Sequence, residues 1–212
     1  MSLKLDTNAR CAVIGYGSWA TAIVKILCEN EQRVSWLISN PIVAEGVINE
    51  EHNPKYLSDA ELDVARIDIS DDINHVVREA DIIILATPSA FLKKTLEPLR
   101  ESLSDKFIIS AIKGIIPDEY LTVAEYMNRF YEIPFSHIGI VTGPCHAEEV
   151  ALEHLSYLTV VCTDQDNSEV LRAKFSTNYI RTVSSTDIYG IEYATVLKNI
   201  YAIAVGIAAG LG

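Results

Sequence analysis

Short apolar runs alternate along this chain with segments whose apolar residues recur at helical spacing. The runs lie at residues 10–14, 34–38, 64–68, 82–86, 107–112, 137–142, 157–162 and 179–183. Helical spacing is found at residues 18–30, 41–50, 72–79, 89–101, 118–131, 145–153 and 167–175. Because most runs are apolar throughout, the strands are expected to be covered on both faces. The pattern predicts an α/β fold with a doubly wound, parallel, Rossmann-type sheet.

The last apolar segment, residues 187–210, breaks this alternation. It is apolar on nearly every side, which is typical of a helix buried inside a helical domain. We therefore predict an α/β domain over residues 8–185, followed over residues 187–212 by the first helix of an all-α second domain. Because the chain stops within this apolar segment, we expect most of the second domain to be missing from it.

Composition and net charge limit the kinds of binding partner that the chain is expected to have. A hydrophobic content of 49% argues against disorder, and a formal net charge of -12 disfavours nucleic acid and anionic membrane surfaces, although not a small anion. The four cysteines lie far apart, so we predict neither a disulfide framework nor a metal site. Residues 1–6 lack the apolar segment of a signal peptide, and residues 200–212 are too short and too rich in Gly and Ala to span a bilayer. We expect a cytoplasmic protein without membrane insertion.

A glycine-rich turn follows the first strand. Gly15, Gly17 and Ala20 form a G-x-G-x-x-A turn that opens a helix. The first glycine permits the tight turn, the second lets a pyrophosphate approach the backbone, and the small third residue lets helix and strand pack closely. The turn predicts that residues 8–185 bind a dinucleotide; the alternative is a tight turn without a ligand.

The end of the second strand normally indicates which dinucleotide is bound. An acid there hydrogen-bonds the ribose of NAD, whereas a nearby Arg accommodates the 2′-phosphate of NADP. This chain has Ile38, Ser39 and Asn40 instead. The choice between NAD and NADP therefore stays open.

Ligands of an open parallel sheet bind beyond the carboxyl ends of its strands, so ligand-contacting residues are expected there. Pro88 fixes one such turn, and Ser89 either caps the next helix or contacts a ligand. Lys113 places a cation beside Gly114, the alternative being a solvated loop lysine. Cys145 lies in a third turn; with no base identifiable beside it, we interpret it as a small lining residue and not as a nucleophile.

One lysine stands alone in the last helix. Lys198 is the only charged residue between Tyr193 and Gly212. An unpaired buried ammonium is unfavourable, so such a lysine either extends to solvent or serves a purpose such as proton transfer. We favour proton transfer, with Asn199 as a neutral hydrogen-bonding neighbour.

Four blocks of the chain carry a family resemblance: residues 15–22 (GYGSWATA), 113–114 (KG), 143–151 (GPCHAEEVA) and 190–199 (GIEYATVLKN). Through them the chain resembles the soluble, bacterial-type NAD(P)-dependent glycerol-3-phosphate dehydrogenases. The resemblance implies interconversion of dihydroxyacetone phosphate and sn-glycerol 3-phosphate by hydride transfer with NAD(P)(H), feeding glycerophospholipid synthesis.

The resemblance also implies roles for single residues. Lys198 would be the general acid that protonates the alkoxide at C2, or the base in the oxidation. The substrate would contact Lys113, Gly143, Cys145 and Asn199. The cofactor would contact Gly15, Gly17, Ser18, Trp19, Ala20, Pro88, Lys113 and Ala147. Since the family's later helical region supplies further substrate groups, we expect the 212-residue chain to bind nucleotide but to be a poor or inactive catalyst.

Two alternatives remain at this point. One is a related NAD(P)-dependent 2-hydroxy acid or ketopantoate-type reductase, and the other is a non-catalytic, nucleotide-sensing Rossmann protein. A small phosphorylated substrate is the expected partner. The oligomeric state is open, with a homodimer as one alternative.

Overall fold

A single sheet organises the computed structural model, which describes residues 3–212. Residues 1 and 2 lie outside the described residues; they belong to segment 1–6, which lacks the apolar stretch of a signal peptide. The strands are β1 (Cys11–Ile14), β2 (Val34–Leu37), β3 (Ile67–Ser70), β4 (Ile82–Leu85), β5 (Phe107–Ser110), β6 (Ile138–Thr142), β7 (Ser156–Cys162) and β8 (Ile180–Ser185). Their spatial order is β3-β2-β1-β4-β5-β6-β7-β8, so the winding direction reverses between β1 and β4. A dinucleotide crevice is expected at such a switch point.

Helices cover both faces of the sheet, as predicted. They are α1 (Ser18–Asn30), α2 (Pro41–Glu50), α3 (Ile73–Arg78), α4 (Ser89–Leu96), α5 (Val123–Tyr131), α6 (Ala147–Ala151), α7 (Gln165–Phe175) and α8 (Ile188–Leu211). One buried core joins the sheet to α1, α6 and α7, and a second joins it to α3, α4 and α5. Alternate residues of β1 enter opposite cores, Val13 the first and Ile14 the second. Both faces of the sheet are buried, so apolar or small residues fill the central strands β1, β2, β4 and β5. The helices on both faces of this sheet confirm the α/β doubly wound class.

One strand pair departs from the predicted parallel sheet. β6 and β7 are antiparallel, with Val141 opposite Val160, while the other six neighbouring pairs are parallel. Between them the chain forms only the five-residue α6, which packs against α1. The chain therefore enters β7 from the end of the sheet at which it left β6, and β7 runs the opposite way.

Three element boundaries differ from the prediction. The third strand spans residues 67–70 because residues 64–66 form a 3-10 turn. α4 ends at Leu96, two residues before Pro98, whose ring disfavours continuation of a helix. α5 begins only at Val123, because the Thr122 side chain caps its first turn in a capping box with Glu125.

The last helix leaves the sheet after its first turns. Ile188 and Glu192 are buried, but every residue from Leu197 onward is exposed. The predicted burial of this apolar helix is thus not found within the described residues. Residues 200–212 were expected to be too short to span a bilayer, but they belong to the longer helix α8, so this expectation about length is wrong. α8 has 24 residues and is long and apolar enough to cross a membrane by length and composition. Core helices of soluble proteins also pass this test.

Candidate active site

The glycine turn between β1 and α1 leaves room for a ligand. Gly15 has a φ of +125°, and a Cβ there would lie 2.6 Å from the carbonyl oxygen of Ala86, so only glycine fits. Gly17 differs, because a Cβ there would meet nothing within 4 Å. Gly17 is also the N-cap of α1, and no side chain among the described residues caps the free N–H groups of the first turn. A phosphate group therefore fits in the open space before α1.

A loop from residue 52 to residue 63 is fastened over this turn. The side-chain amide of Asn53, fully buried, donates to the Tyr16 carbonyl at 2.9 Å and to the Thr21 hydroxyl at 2.7 Å. The Ser18 hydroxyl donates to the Tyr56 carbonyl at 2.8 Å. Ser18, a predicted cofactor contact, thus uses its hydroxyl to hold the loop, while its backbone N–H stays in the uncapped turn.

A cavity of about 510 Å³ opens beside the turn. It is bounded by the glycine turn, by the carboxyl ends of β2, β3 and β4, and by α4 with the residues after it. Its wall is formed by Gly15, Tyr16, Gly17, Leu37, Ser39, Tyr56, Asp71, Asp72, Ile73, Thr87, Pro88, Phe91, Lys94, Thr95 and Pro98. Sequence reasoning placed the two glycines and Pro88 in this crevice, but it missed Tyr56, Asp71 and Phe91.

The start of α4 corrects one expectation. Pro88 is the N-cap residue of α4, and no side chain caps this helix, so Ser89 does not make the predicted capping hydrogen bond. A Cβ on Gly114 would lie 2.9 Å from the Ser89 hydroxyl oxygen. The glycine beside Lys113 therefore lets the loop after β5 approach α4 closely.

A second group of side chains gathers where β5 and β6 end. Lys113 Nζ lies 5.3 Å from the centroid of the Trp19 ring, over its face. The Trp19 indole N–H is buried and has no hydrogen-bond partner among residues 3–212. Such an unsatisfied donor is unfavourable in the absence of a partner, so this position also fits a polar ligand group.

Two lysines approach each other in this second group. Partial burial lowers the pKa of Lys113, and the nearby charge of Lys198 lowers it further. In the part of the chain that the structure describes, neither lysine forms an ion pair with a carboxylate. Two unneutralised cations side by side favour the binding of an anion such as a phosphate ester.

The turn after β6 completes the same end of the sheet. Gly143 has a φ of +152°, and a Cβ there would overlap the Tyr157 carbonyl. Cys145 is buried, and burial raises the pKa of its thiol. A neutral thiol is a poor nucleophile, which agrees with the interpretation of Cys145 as a lining residue. Ala147, also buried, begins α6.

Two polar contacts fix the first half of α8 on this end of the sheet. The backbone N–H of Ala124 donates to Glu192 Oε1 at 3.2 Å, and the hydroxyls of Thr142 and Thr195 are 3.1 Å apart. Lys198 follows Thr195 by three residues and so lies one turn further along the same side of the helix. Lys198 and Asn199 are both exposed. The lysine singled out as a buried anomaly is therefore a solvent-accessible cation, close enough to Lys113 for its charge to act there.

Known proteins resemble the chain over nearly all of its length. The family model described as NAD-dependent glycerol-3-phosphate dehydrogenase N-terminus matches residues 10–168. A glycerol-3-phosphate dehydrogenase [NAD(P)+] of Macrococcus caseolyticus is 35% identical over 95% of this chain and 61% of its own length. One of Corynebacterium jeikeium is 32% identical over 95% of this chain and 60% of its own length.

The fold agrees with this match. A solved structure of Plasmodium falciparum glycerol-3-phosphate dehydrogenase superposes with a TM-score of 0.86 at 26% identity, covering 96% of this chain and 59% of that one. The chain thus spans about three fifths of the length of the relatives it matches. The matched residues run from β1 into α7 and include the glycine turn, Lys113 and Cys145. On this evidence the chain belongs to the NAD-dependent glycerol-3-phosphate dehydrogenase family.

Proposed function

We propose that the chain binds NAD(H) or NADP(H) across the carboxyl ends of its strands, and that the protein carrying it interconverts dihydroxyacetone phosphate and sn-glycerol 3-phosphate. The observation that carries the proposal is the convergence of Trp19, Lys113 and Lys198 beside an open glycine turn. Family membership supplies the substrate class, since the relatives are named for this reaction.

The cofactor would follow the cavity from the adenosine end to the nicotinamide end. The uncapped N–H groups of α1 beside Gly17 and Ser18 would hold the pyrophosphate, because a helix N-terminus attracts negative charge. Ala20 lets α1 pack on β1, and Pro88 and Ala147 would line the path. When bound, the nicotinamide supplies a hydride to the substrate carbonyl carbon or accepts one from the alcohol.

The two lysines would have different roles toward the substrate. Lys113 and the backbone at Gly143 would bind and orient it, with the small, neutral Cys145 leaving space. Lys198 would donate a proton to the oxygen at C2 as the C–O double bond becomes a single bond, and would remove that proton in the oxidation. Asn199 would hydrogen-bond beside it.

The domain organisation, the cellular location and the metabolic role are proposed on the same basis. We assign residues 8–185 to the dinucleotide domain and residues 187–212 to a separate helical substrate domain, because α8 leaves the sheet after its first turns. A cytoplasmic location fits the four cysteines, all of them free and buried. A role in glycerophospholipid synthesis follows from the product, sn-glycerol 3-phosphate.

The test is the loss of absorbance of the reduced nicotinamide in the protein that carries this chain. We expect oxidation of the dinucleotide when dihydroxyacetone phosphate is added. A 2-oxo acid serves as the comparison substrate and should give little or no oxidation. Oxidation by the 2-oxo acid alone would favour the hydroxy acid or ketopantoate-type reductases, and tight binding with no turnover of either substrate would favour a nucleotide-sensing protein.

A further inference from the structure

Two carboxylates stand at the end of the cavity where the adenosine ribose would lie. Asp71 directly follows β3, and Asp72 is the next residue; both line the cavity together with Ser39, which follows β2. Asp72 is occupied, because its side chain caps α3 through the backbone N–H of Asn74 at 2.9 Å. Asp71 is exposed and accepts no hydrogen bond within the described residues. Its carboxylate is therefore available to a ligand.

The pairing of β2 with β3 determines where Asp71 lies. The two strands are parallel, with Leu37 opposite Ser70, and the backbone N–H of Ile38 donates to the Ser70 carbonyl at 3.0 Å. The next positions along the strands, Ile38 and Asp71, are therefore neighbours across a strand spacing of roughly 4.8 Å. The ribose of a dinucleotide binds at the end of β2, so Asp71 lies beside the position where an acid on β2 would stand.

The charge of the cavity wall beside Asp71 disfavours binding of the 2′-phosphate of NADP(H). The wall of the cavity carries two carboxylates and a single cation, Lys94 on α4. Lys94 forms no ion pair with Asp71 or Asp72 within 4.0 Å, among the side chains that the structure describes. No Arg or Lys occupies positions 38–40 at the end of β2. A 2′-phosphate would bring a dianion to a site whose net charge is already negative, whereas a 2′-hydroxyl would donate a hydrogen bond to a carboxylate.

We propose that Asp71 makes this site select NAD(H) over NADP(H). The inference rests on the proposed function, because it assumes that the cavity binds the dinucleotide. The family description names NAD alone, whereas the names of the relatives admit both dinucleotides; the inference adds the residue of this chain that would decide between them. Asp71 acts here as a specificity-determining residue supplied by β3 in place of an acid on β2.

Direct binding tests the proposal without any turnover. NADH and NADPH are titrated separately into the chain by isothermal titration calorimetry, and into Asp71→Asn and Lys94→Ala variants. Asp105→Asn is the matched control, since this exposed aspartate makes the same change of charge away from the cavity. We expect NADH to bind the parent at least about tenfold more tightly than NADPH, and Asp71→Asn to reduce that ratio to about threefold or less by strengthening NADPH binding. The control should keep the parent ratio.

Each other outcome overturns the proposal in a distinct way. Equal affinities in the parent would refute the selection but leave dinucleotide binding intact. Tighter binding of NADPH, lost selectively in Lys94→Ala, would assign the 2′-phosphate to Lys94 and reverse the inference. An unchanged ratio in Asp71→Asn would remove the role of Asp71. Binding of neither dinucleotide would overturn the proposed function itself.

Discussion

At the scale of single residues, the two glycines of the first turn are required for different physical reasons. Gly15 is fixed by the fold, because its φ is positive and any Cβ would collide with the Ala86 carbonyl. Gly17 has an ordinary φ of -75° and open space where its Cβ would point. The fold itself does not require glycine at position 17, whereas the proposed approach of a pyrophosphate does. Substitutions at the two positions therefore distinguish an effect on stability from an effect on binding.

This contrast gives a paired prediction. Gly15→Ala should lower the free energy of unfolding by about 1–3 kcal/mol, the cost of holding a residue with a side chain in a strained backbone conformation. Gly17→Ala should leave it unchanged or raise it by up to about 1 kcal/mol, because alanine restricts the unfolded chain. Urea denaturation measures both. Gly17→Ala should nevertheless weaken NADH binding at least about tenfold by placing a methyl group where the pyrophosphate approaches, and undiminished affinity would refute this position for the phosphate.

Which site residues the sequence revealed depended on whether their signal was local. The glycine turn and Lys113 were found because each directly follows an apolar strand. Asp71 was missed because its importance comes from β3 lying beside β2, and no local pattern reports that pairing. Lys198 was singled out for its isolation among apolar residues, which suggested a buried setting, but the structure exposes it. Its role therefore stays a prediction.

At the scale of elements, one buried carboxylate connects α8 to the start of α5. Glu192 is only 2% exposed, its Oε1 accepts from Ala124, and its Oε2 has no partner among residues 3–212. Burial raises the pKa of Glu192 above its usual 4.5. The folded protein therefore holds this proton more tightly than the unfolded chain does, so the stability from this group is complete below pH 4.5 and is lost as pH rises through the folded pKa.

Glu192→Gln keeps an oxygen acceptor for the Ala124 N–H but never ionises. The free energy of unfolding of this variant, minus that of the parent, should therefore increase from about pH 4 to about pH 7. Glu61→Gln, at an exposed position, is the control and should show no such trend. Denaturant titrations at the two pH values measure both differences. A difference that falls as pH rises would mean that the folded protein favours the carboxylate.

The loop over the glycine turn gives a second prediction at this scale. Asn53→Ala removes the donors to Tyr16 and Thr21 and should lower the free energy of unfolding by about 1–3 kcal/mol. It should also weaken NADH binding, because the same loop carries Tyr56 in the cavity wall. Asn128→Ala, which removes a donor to the Ile133 carbonyl far from the cavity, should destabilise the fold without changing binding. Equal NADH affinity in both variants would show that the loop does not form the site.

Most elements were predictable because their hydrophobic periodicity is strong. The four-residue apolar strands β1, β4 and β5 follow directly from it. The antiparallel direction of β7 did not follow, since a strand's period is the same in both directions and only the packing of α6 on α1 turns the chain back. The late start of α5 depends on the cap formed by Thr122, which competes with the apolar periodicity upstream.

At the scale of the whole molecule, a chain with a net charge of -12 presents, at one end of its sheet, two lysines that form no ion pair within residues 3–212. Sheet topology brings them together, because Lys113 lies in the loop after β5 and the contacts of Glu192 and Thr195 hold α8 against β6 and α5. The glycine turn lies at the same end, on β1. One edge of the molecule therefore brings together the open glycine turn and two cations, as the proposed binding of a dinucleotide and a phosphorylated substrate requires.

The central claim is that Lys198 transfers the proton at this edge. The most direct measurement is the rate of NADH oxidation by dihydroxyacetone phosphate in the protein carrying this chain, compared with its Lys198→Ala variant, with NADH affinity measured on the same samples. Lys4→Ala, which removes an exposed lysine paired with Asp164, is the control. We expect a rate at least about a hundredfold lower in Lys198→Ala, with NADH affinity and the control unchanged. A Lys198→Ala variant that oxidises NADH at the parental rate would contradict it.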